Sequence, residues 1–577
     1  AADGAAAGGD GESGPSAPDA PASDALAPEV ARRCNYAIIA HPDAGKTTLT
    51  EKMLLYGGAL REAGEIKGKG ADKATKSDWM DIEQQRGISV TASALMFEAR
   101  GRQVTLLDTP GHKDFSEDTY RSLAAADNAL MLVDAGKGLE PQTHKLFEVC
   151  RLRHLPIFTF MNKLDRPALE PLELLEEIEN EFGMATFPVV WPLGSGDRFA
   201  GVIDRLERSV HLYTKSGRDG KSKGAITEVL SLDDDMDRIE ELVDSEVLSV
   251  ALEEVELLDD AGAELDMEAV IAGDMTPVFF GAAINNFGIE LLLDYFLKFA
   301  PCPGAKDTSA GVSVQPTQEA FTGFVFKLQA NMDKRHRDKL AFCRVVSGKF
   351  EKGMKATVAR TGRTLSMSAP QKLFAEDRDT VEVAYAGDVI GLNNPDAFAI
   401  GDTLYAAGTP KVSFPPIPAF SPELFAYLRL EDPGARKAFT KGVDQLLSEG
   451  AVQVLSGRNE LSTQAPILAA VGELQFDVVL DRLMSEYKVA ARLDRMPYTV
   501  ARWVKEGGWE AVDAAGDLFG VETVQDVYGR PVLLFKNVWA VNRLMDDAPE
   551  LYERLLPYSF APTDEEQAAL AKAQKKR

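Results

Sequence analysis

Short runs of apolar residues alternate with longer amphipathic stretches between residues 32 and 305. Three of the apolar runs, at residues 36–39, 104–107 and 158–161, are followed by turns that contain polar residues and glycine. A short apolar run bounded by turn residues predicts a buried strand, and the amphipathic stretches predict helices. This order predicts an open α/β sheet over residues 32–305, with ligand-binding residues at the carboxyl ends of its strands.

The pattern changes twice further along the chain, which predicts a multidomain α/β protein. Residues 318–408 contain short alternating runs separated by glycine turns, and they predict a small β-barrel domain. Residues 418–577 begin with a βαββαβ order, which predicts an α+β domain of the ferredoxin-like kind. The predicted elements of that domain are strand 424–430, helix 435–448, strand 451–455, strand 466–471, helix 472–486 and strand 488–493. Beyond them the pattern indicates a strand at 530–536 among helices.

Two segments stand apart by composition. Residues 1–31 are Ala, Gly, Pro, Ser and acidic residues with almost no large apolar side chain. Such a segment buries too little surface to offset its chain entropy, so it is predicted to be disordered. The acidic stretch at about 207–273 is predicted to be a helical insertion in the first domain.

The turn after the first predicted strand has the composition of a phosphate-binding loop. Its residues are Ala40, His41, Pro42, Asp43, Ala44, Gly45, Lys46, Thr47 and Thr48. Backbone N–H groups at the start of the following helix favour an anion. Lys46 adds a positive charge for the β- and γ-phosphates, and the Thr47 hydroxyl can bind Mg²⁺. Ala40 replaces the first glycine of the pattern, and the loop alone does not choose the nucleotide.

A second turn follows the strand at 104–107. Its residues are Asp108, Thr109, Pro110, Gly111 and His112. An aspartate at a strand end can hold Mg²⁺ through water. Gly111 lets its backbone N–H approach the γ-phosphate because no side chain intervenes.

A third turn follows the strand at 158–161. Its residues are Asn162, Lys163, Leu164 and Asp165. A carboxylate accepts two hydrogen bonds from the N1–H and 2-amino groups of guanine, whereas adenine presents no such donor pair. Asp165 therefore predicts a site for GTP rather than ATP. Lys163 is expected to pack its stem on the base, and Asn162 to tie this turn to the phosphate-binding loop.

Together these motifs resemble those of the translational GTPases. Residues 86–90 resemble the first switch of that superfamily, in which a hydroxyl residue, here Ser89, reaches Mg²⁺ and the γ-phosphate. A histidine in the position of His112 is typical of ribosome-dependent members, where it positions the attacking water. Within the superfamily the chain most resembles the bacterial-type peptide chain release factor 3 family, from about residue 32 to past residue 503. The segments that carry this resemblance are 76–80, 114–121, 324–333, 336–339 and 344–349.

The resemblance implies the remaining parts of the site. The loop that supports guanine corresponds to Ala282, Ala283 and Ile284, where the family usually has Ser-Ala or Thr-Ala. Its contribution is chiefly a backbone N–H, so the change is expected to cost little. Lys46, Gly111 and His112 are expected to take part in catalysis, with GTP and GDP as the nucleotides. The expected Mg²⁺ residues are Thr47, Ser89 and Asp108.

Charge and cysteine content limit the partners. The net charge is −27, which predicts weak non-specific binding to RNA. A local basic tip at 334–339 is a candidate contact to ribosomal RNA, and 572–577 form a basic end. The four cysteines include no Cys-x-x-Cys pair, and no apolar run approaches a membrane span. We therefore expect no membrane or DNA partner, a monomer, and a bacterial-type cytoplasm or, in a eukaryote, the plastid stroma.

The resemblance implies a ribosome-dependent GTPase that recycles a decoding release factor after peptide release. No intrinsic arginine finger is evident, so the ribosome is expected to accelerate hydrolysis. One alternative is a translocase resembling elongation factor G, or a ribosome-protection GTPase. About 165 residues follow Lys411, which are too few for the extra domains of those proteins. An alternative of another class is a nucleotide-gated module for ribosome assembly or binding with negligible hydrolysis, against which the intact Asp108 and His112 argue.

Overall fold

The structure is a computed structural model of the 577-residue chain. It describes residues 26–59, 92–213, 226–262, 264–330, 339–371, 380–393, 397–417, 421–458, 465–516, 518–560, 563 and 566. Ser89, residues 1–25 of the predicted disordered tail, residues 334–338 of the basic tip and the basic end at 572–577 lie outside these ranges.

The first domain contains the strands and helices that surround the predicted nucleotide site. Its strands are β1 (Arg33–Ala40), β2 (Ser93–Ala99), β3 (Arg102–Asp108), β4 (Asn128–Asp134), β5 (Ile157–Asn162), β6 (Ala185–Pro188), β7 (Val190–Leu193), β8 (Gly201–Asp204), β9 (Ser209–Tyr213), β10 (Ile226–Ser231) and β11 (Met275–Phe280). Its helices are α1 (Ala27–Ala31), α2 (Lys46–Tyr56), α3 (Ser116–Ala125), α4 (Pro141–Leu152), α5 (Pro171–Phe182), α6 (Met236–Leu242), α7 (Ser245–Asp260), α8 (Met267–Ala272) and α9 (Ile289–Phe299).

A seven-stranded sheet in the order β2-β3-β1-β4-β5-β11-β6 forms the centre of this domain. All neighbours pair in parallel except β2, which runs antiparallel to β3. Strands β1, β4 and β5 are buried along their whole length, because helices cover both faces of a parallel sheet. The carboxyl ends of β1, β3, β4, β5 and β11 therefore meet at one edge of the sheet.

Two predictions about the first domain need correction. The acidic stretch at about 207–273 is not helical throughout, since β9 and β10 precede α6, α7 and α8. These two strands extend an antiparallel sheet in the order β10-β9-β8-β7. The side chains of β9 follow a period close to two in burial, a signal that the acidic composition obscured. In addition, residues 27–31 of the tail form α1 after the N-cap Leu26, and the side chains of Leu26 and Val30 are buried.

The middle domain is an antiparallel β structure around its own apolar core. Its strands are β12 (Lys306–Asp307), β13 (Ser313–Val314), β14 (Thr322–Ala330), β15 (Lys339–Ser347), β16 (Lys349–Glu351), β17 (Lys355–Val358), β18 (Thr364–Ser366), β19 (Pro370–Gln371), β20 (Val383–Tyr385), β21 (Val389–Asn393) and β22 (Thr403–Ala406). Seven of them form one sheet in the order β18-β17-β22-β14-β15-β21-β19, and β16 pairs with β20. The predicted run at 381–392 is two short strands separated by a turn at Gly387, where φ is 111°.

The C-terminal domain has the predicted βαββαβ order. Its elements are β23 (Leu424–Leu430), α10 (Arg436–Ser448), β24 (Gln453–Gly457), β25 (Ile467–Ala470), α11 (Glu473–Tyr487), β26 (Ala491–Arg495), β27 (Val500–Val504), α12 (Gly508–Ala514), β28 (Glu522–Gln525), β29 (Pro531–Phe535), α13 (Val538–Asp547), α14 (Pro549–Tyr552) and β30 (Leu555–Leu556). The first four strands lie in the order β26-β23-β25-β24, as in a ferredoxin-like sandwich. The pattern at 530–536 predicted β29 alone, whereas β27, β28 and β30 flank it and extend the sheet to eight strands.

Buried charged pairs join the first and middle domains. The Arg33 guanidinium donates two hydrogen bonds of 3.0 Å to the Asp388 carboxylate, and both side chains are less than 10% exposed. Arg344 donates to Asp127 at 2.6 Å and is 1% exposed. Since a buried charge without its partner is costly, these pairs specify one relative placement of the two domains.

Helix α3 contacts both of the other domains. Lys327 of β14 donates to the backbone oxygen of Ala92 and lies 3.4 Å from the Asp118 carboxylate. Arg121 donates to the backbone oxygen of Gly450 at 3.2 Å, between α10 and β24. Burial raises the pKa of the neighbouring Glu117 carboxyl, although the Arg121 charge opposes that shift.

Within the described ranges, no helix has the length and apolarity needed to cross a bilayer.

We predict that Arg33→Met destabilises the protein by about 3–5 kcal/mol, because the Asp388 carboxylate stays buried without its cation. Urea unfolding measures the change. Arg543→Met, which removes an exposed pair with Asp547, is the control and should leave the midpoint nearly unchanged. An equal loss of unfolding free energy in the two variants would contradict the claim that the buried pair stabilises the protein more than the exposed pair.

Candidate functional site

The phosphate-binding loop lies between β1 and α2, as predicted. Gly45 precedes α2 with φ of 105°, a conformation that glycine adopts without a steric penalty. A Cβ at Gly45 would lie 2.5 Å from Nδ2 of Asn162, so the close approach of these two loops also requires glycine. The N-cap residue Gly45 has no side chain that could cap α2, and the first turn of α2 contains no acidic residue. The first N–H groups of α2 thus favour a phosphate.

Lys46 and Asp108 meet at this edge of the sheet. The Lys46 ammonium pairs with Oδ1 of Asp108, and both side chains are at least 90% buried. Register places Asp108 beside Ile38, two residues before the end of β1. Among the described residues, Oδ2 of Asp108 is buried and has no hydrogen-bond partner. A buried carboxylate oxygen with Thr47 nearby in the loop fits a hydrated Mg²⁺, which accepts oxygen ligands and retains several waters.

The phenol of Tyr36 in β1 is fully buried and is affected by the charge of Asp108. Burial raises the pKa of Tyr36 well above its usual range, and the charges of Cys34 and Asp108 add smaller contributions. The ring packs edge-on against Phe296 with centroids 4.6 Å apart. The Tyr36 phenol is therefore neutral, and it does not compensate the Asp108 charge.

Asn162 connects three loops. Its Nδ2 donates to the Ala44 backbone oxygen at 2.8 Å, and its Oδ1 accepts from the Ala283 backbone N–H at 2.9 Å. Asn162 is 2% exposed. One buried amide thus ties the phosphate-binding loop to the predicted base-binding turn and to the supporting loop, as the sequence predicted for the first of these contacts.

Lys163 reinforces that connection. Its ammonium donates to the Asp43 backbone oxygen at 2.5 Å and to the Asp134 carboxylate at 2.7 Å. Asp43 and Lys163 have φ of 66° and 72°, a left-handed conformation that residues other than glycine rarely adopt. Such conformations cost of order 1 kcal/mol or more and concentrate at functional sites.

Asp165 has an unsatisfied oxygen where the base is expected. Among the described residues, Oδ1 of Asp165 is buried and has no hydrogen-bond partner. A buried acceptor without a donor costs about 1–3 kcal/mol. Guanine supplies two N–H donors in the geometry that a carboxylate accepts, so the residue fits a guanine ring edge.

The supporting loop follows β11 and lies against the base-binding turn. The Gly281 oxygen accepts from the Leu164 N–H at 3.2 Å, and the Gly281 N–H donates to the Met161 oxygen at 2.9 Å. Ala282 and Ala283 are buried, whereas Ile284 is 56% exposed. The small residues allow this close approach, and Ile284 is the only one of the three predicted positions with a largely exposed side chain.

The turn after β3 is held against β1. The Thr109 hydroxyl donates to the Ile38 oxygen at 2.6 Å, and the Thr119 hydroxyl donates to the Pro110 oxygen at 2.9 Å. A Cβ at Gly111 would lie 3.7 Å from the Ala40 oxygen and from the Pro42 backbone. His112 is therefore adjacent to the phosphate-binding loop.

Three acidic residues near the site were not predicted from the sequence. Asp134 ends β4 and pairs with Lys163; Glu140 lies 3.5 Å from Nε2 of His41; Asp114 lies 3.3 Å from Nδ1 of His112. Asp134 follows a buried apolar run, so the signal that identified Asp108 could have identified it as well. Glu140 carries no comparable signal, because its partner His41 lies on another loop, and Asp114 carries none, because it does not directly follow an apolar strand.

Three family models match successive parts of the chain. Residues 31–302 match the model of the elongation factor Tu GTP binding domain, residues 320–407 match elongation factor G domain 2, and residues 414–545 match the C-terminal domain of class II release factor RF3. By its domain composition the chain thus belongs to the translational GTPase superfamily.

The relatives define the family more narrowly. A peptide chain release factor 3 from Synechocystis sp. is 58% identical, over 92% of this chain and 95% of the relative. Another from Acaryochloris marina is 57% identical, over 91% of this chain and 96% of the relative. The chain therefore belongs to the peptide chain release factor 3 family, whose members act in translation termination. A crystal structure from Thermus thermophilus has a TM-score of 0.64 at 23% identity and shares the fold; the match covers 87% of this chain and 72% of that one.

We predict that Asn162→Ala weakens GTP and GDP binding by roughly 30-fold, because about 2 kcal/mol of loop-to-loop hydrogen bonding is lost. Titration with a fluorescent guanine nucleotide measures the change. The matched control is Asn180→Ala, since Asn180 lies on the exposed surface of α5. Unchanged affinity in Asn162→Ala would contradict the role of this side chain.

Proposed function

We propose that the chain is a ribosome-dependent GTPase that releases a decoding peptide chain release factor from the ribosome after peptide release. The observation that carries the nucleotide assignment is the meeting of Lys46, Asp108 and Asp165 at one sheet edge. The last two each have a buried carboxylate oxygen without a partner among the described residues. Family membership supports the termination role.

The proposed reaction is hydrolysis of the β–γ bond of GTP by water. The first N–H groups of α2 and the Lys46 ammonium hold the phosphates and offset charge in the transition state. The Asp165 carboxylate fixes the guanine, and Asn162 keeps the base-binding turn in register with the phosphate-binding loop. Thr47, Ser89 and Asp108 would hold Mg²⁺, which neutralises charge on the β- and γ-oxygens when bound.

His112 is proposed to position the attacking water, with Gly111 presenting its N–H to the γ-phosphate. Positioning of this kind changes the rate because the water must lie in line with the bond that breaks. The ribosome, including its RNA, is the proposed activator. The proposed compartment of the protein is a bacterial cytoplasm, or the plastid stroma if the source is eukaryotic. The protein is proposed to act as a monomer.

The test of the recycling role uses purified ribosomes stalled at a stop codon with a decoding factor bound. Release of a labelled decoding factor is followed after addition of the protein with GTP, with GDP or with a non-hydrolysable analogue. We expect release with GTP to exceed release with GDP. No nucleotide-dependent release would refute the proposal, and absence of phosphate production would favour a binding module.

We predict that His112→Ala binds GTP normally but loses ribosome-stimulated hydrolysis by about 100-fold or more, because water positioning is lost and ground-state contacts remain. Multiple-turnover phosphate release measures the rate. His144→Ala is the matched control, since His144 lies on α4 and packs against Phe182. Retained stimulation in His112→Ala would contradict its assigned role.

We predict that Asp165→Asn exchanges guanine preference for xanthine preference. Xanthine has a carbonyl oxygen in place of the 2-amino group, so an amide N–H can donate where the carboxylate accepted. The expected change in relative affinity is about 100-fold or more, from two mismatched hydrogen bonds. Competition between GTP and XTP measures it, with Asp237→Asn on the exposed face of α6 as the control. Unaltered selectivity would remove the basis for the GTP assignment.

A further inference from the structure

The side chain of Asp114 joins His112 to the C-terminal domain. Asp114 lies in the 3₁₀ turn Lys113–Phe115, two residues after His112, and is 3% exposed. Its Oδ1 is 3.3 Å from Nδ1 of His112. Its Oδ2 accepts a hydrogen bond of 2.8 Å from the Leu474 N–H, in the first turn of α11. The two oxygens of one carboxylate thus contact two different domains.

The N-terminus of α11 leaves room and a backbone N–H donor for that carboxylate. Its N-cap residue is Gly472, which has no side chain to accept from the first helical N–H groups. Asp114 supplies the missing acceptor from the first domain, and the dipole of α11 favours its negative charge. A Cβ at Gly472 would lie 2.0 Å from Cγ of Asp114, so any larger residue would displace the carboxylate.

A second contact holds the same two domains together next to Asp114. The Arg121 guanidinium donates to the Gly450 oxygen at 3.2 Å and also pairs with Glu117. A Cβ at Gly450 would lie 2.3 Å from Nη1 of Arg121, so this contact also depends on a glycine. The C-terminal domain therefore contacts the segment after His112 at two close-packed points, and only the first of them includes the carboxylate beside His112.

Two groups of Asp114 compete for Nδ1 of His112: the backbone N–H donates a hydrogen bond to it, and the carboxylate lies within ion-pair distance of it. The Asp114 backbone N–H lies 3.2 Å from this nitrogen, and the Asp114 carboxylate lies 3.3 Å from it. A neutral imidazole can accept a hydrogen bond from the backbone N–H through a lone pair on Nδ1, or it can carry its proton on Nδ1 and donate a hydrogen bond to the carboxylate. Only the second arrangement leaves a lone pair on Nε2 that can accept a hydrogen bond from water.

We propose that Asp114 is a positioning residue that selects the Nδ1–H tautomer of His112, and that the C-terminal domain holds it in place through the Leu474 N–H. This inference rests on the proposed role of His112. A carboxylate that orients an imidazole in this way leaves the distal nitrogen free for the reacting group. Docking of the C-terminal domain thus completes the hydrolytic site.

The first test is Asp114→Asn. The introduced amide keeps an oxygen that can accept from the Leu474 N–H, but it presents N–H groups to His112 and so favours the opposite tautomer. We expect the ¹⁵N chemical shifts of the His112 ring to report a proton moved from Nδ1 to Nε2. Single-turnover GTP hydrolysis without ribosomes should fall about tenfold or more, with GTP affinity unchanged.

The second test is Gly472→Ala, which leaves every residue of the first domain intact and pushes α11 away from Asp114. We expect hydrolysis to fall in the same direction and the His112 ring shifts to change. Gly304→Ala is the matched control, because a Cβ there meets nothing within 4 Å. If Asp114 acts through His112, Asp114→Asn should not lower the rate of GTP hydrolysis any further in a His112→Ala background.

The outcomes separate the two proposals. If His112→Ala keeps ribosome-stimulated hydrolysis, the proposed function fails at its catalytic residue. If His112→Ala loses hydrolysis while Asp114→Asn leaves the ring tautomer and the rate unchanged, the proposed function stands and this inference is refuted. A rate loss in Asp114→Asn that persists undiminished in the His112→Ala background would likewise refute it, since the effect would not act through His112.

Discussion

The side-chain amide of Asn162 is the contact on which the nucleotide site most depends. It bridges the Ala44 oxygen and the Ala283 N–H inside the protein, where water does not compete for either hydrogen bond. Parallel strands bring three loops to one edge of the sheet, but strand register alone does not set the distance between the loops. The buried amide sets that distance, and the glycine at position 45 permits it.

Charged contacts between domains form the second level of organisation. Arg33, Arg344 and Lys327 each cross from one domain to the other, and all three are nearly fully buried. Helix α3 follows the turn that contains His112, and it contacts both the middle and the C-terminal domain. A helix cap supplied across a domain boundary, as Asp114 does for α11, is worth about 1 kcal/mol. Contacts of that size can be exchanged during a conformational cycle, whereas the buried ion pairs resist exchange.

Sequence reasoning located residues correctly in the fold where their position depends on their own strand or turn. Asp108, Asn162 and Asp165 each follow a buried apolar run, and periodicity identifies such runs directly. Sequence reasoning missed strands whose structure depends on pairing with distant strands and not on local composition. The strands β9 and β10 lie in an acidic segment, and their pairing with β8 decides their structure. The strands β27, β28 and β30 are likewise defined by long-range pairing around β29.

The sequence by itself determined the three-part architecture, the phosphate-binding loop and the aspartate expected to read guanine, because local pattern and turn chemistry encode them. The tertiary structure alone decided which loops meet, that Asp134 pairs with Lys163, and that Asp114 lies between His112 and Leu474. The reason is physical: Asp114 and Leu474 are 360 residues apart. No periodicity links positions at that separation, and only the packing of one domain on another brings them into hydrogen-bond distance.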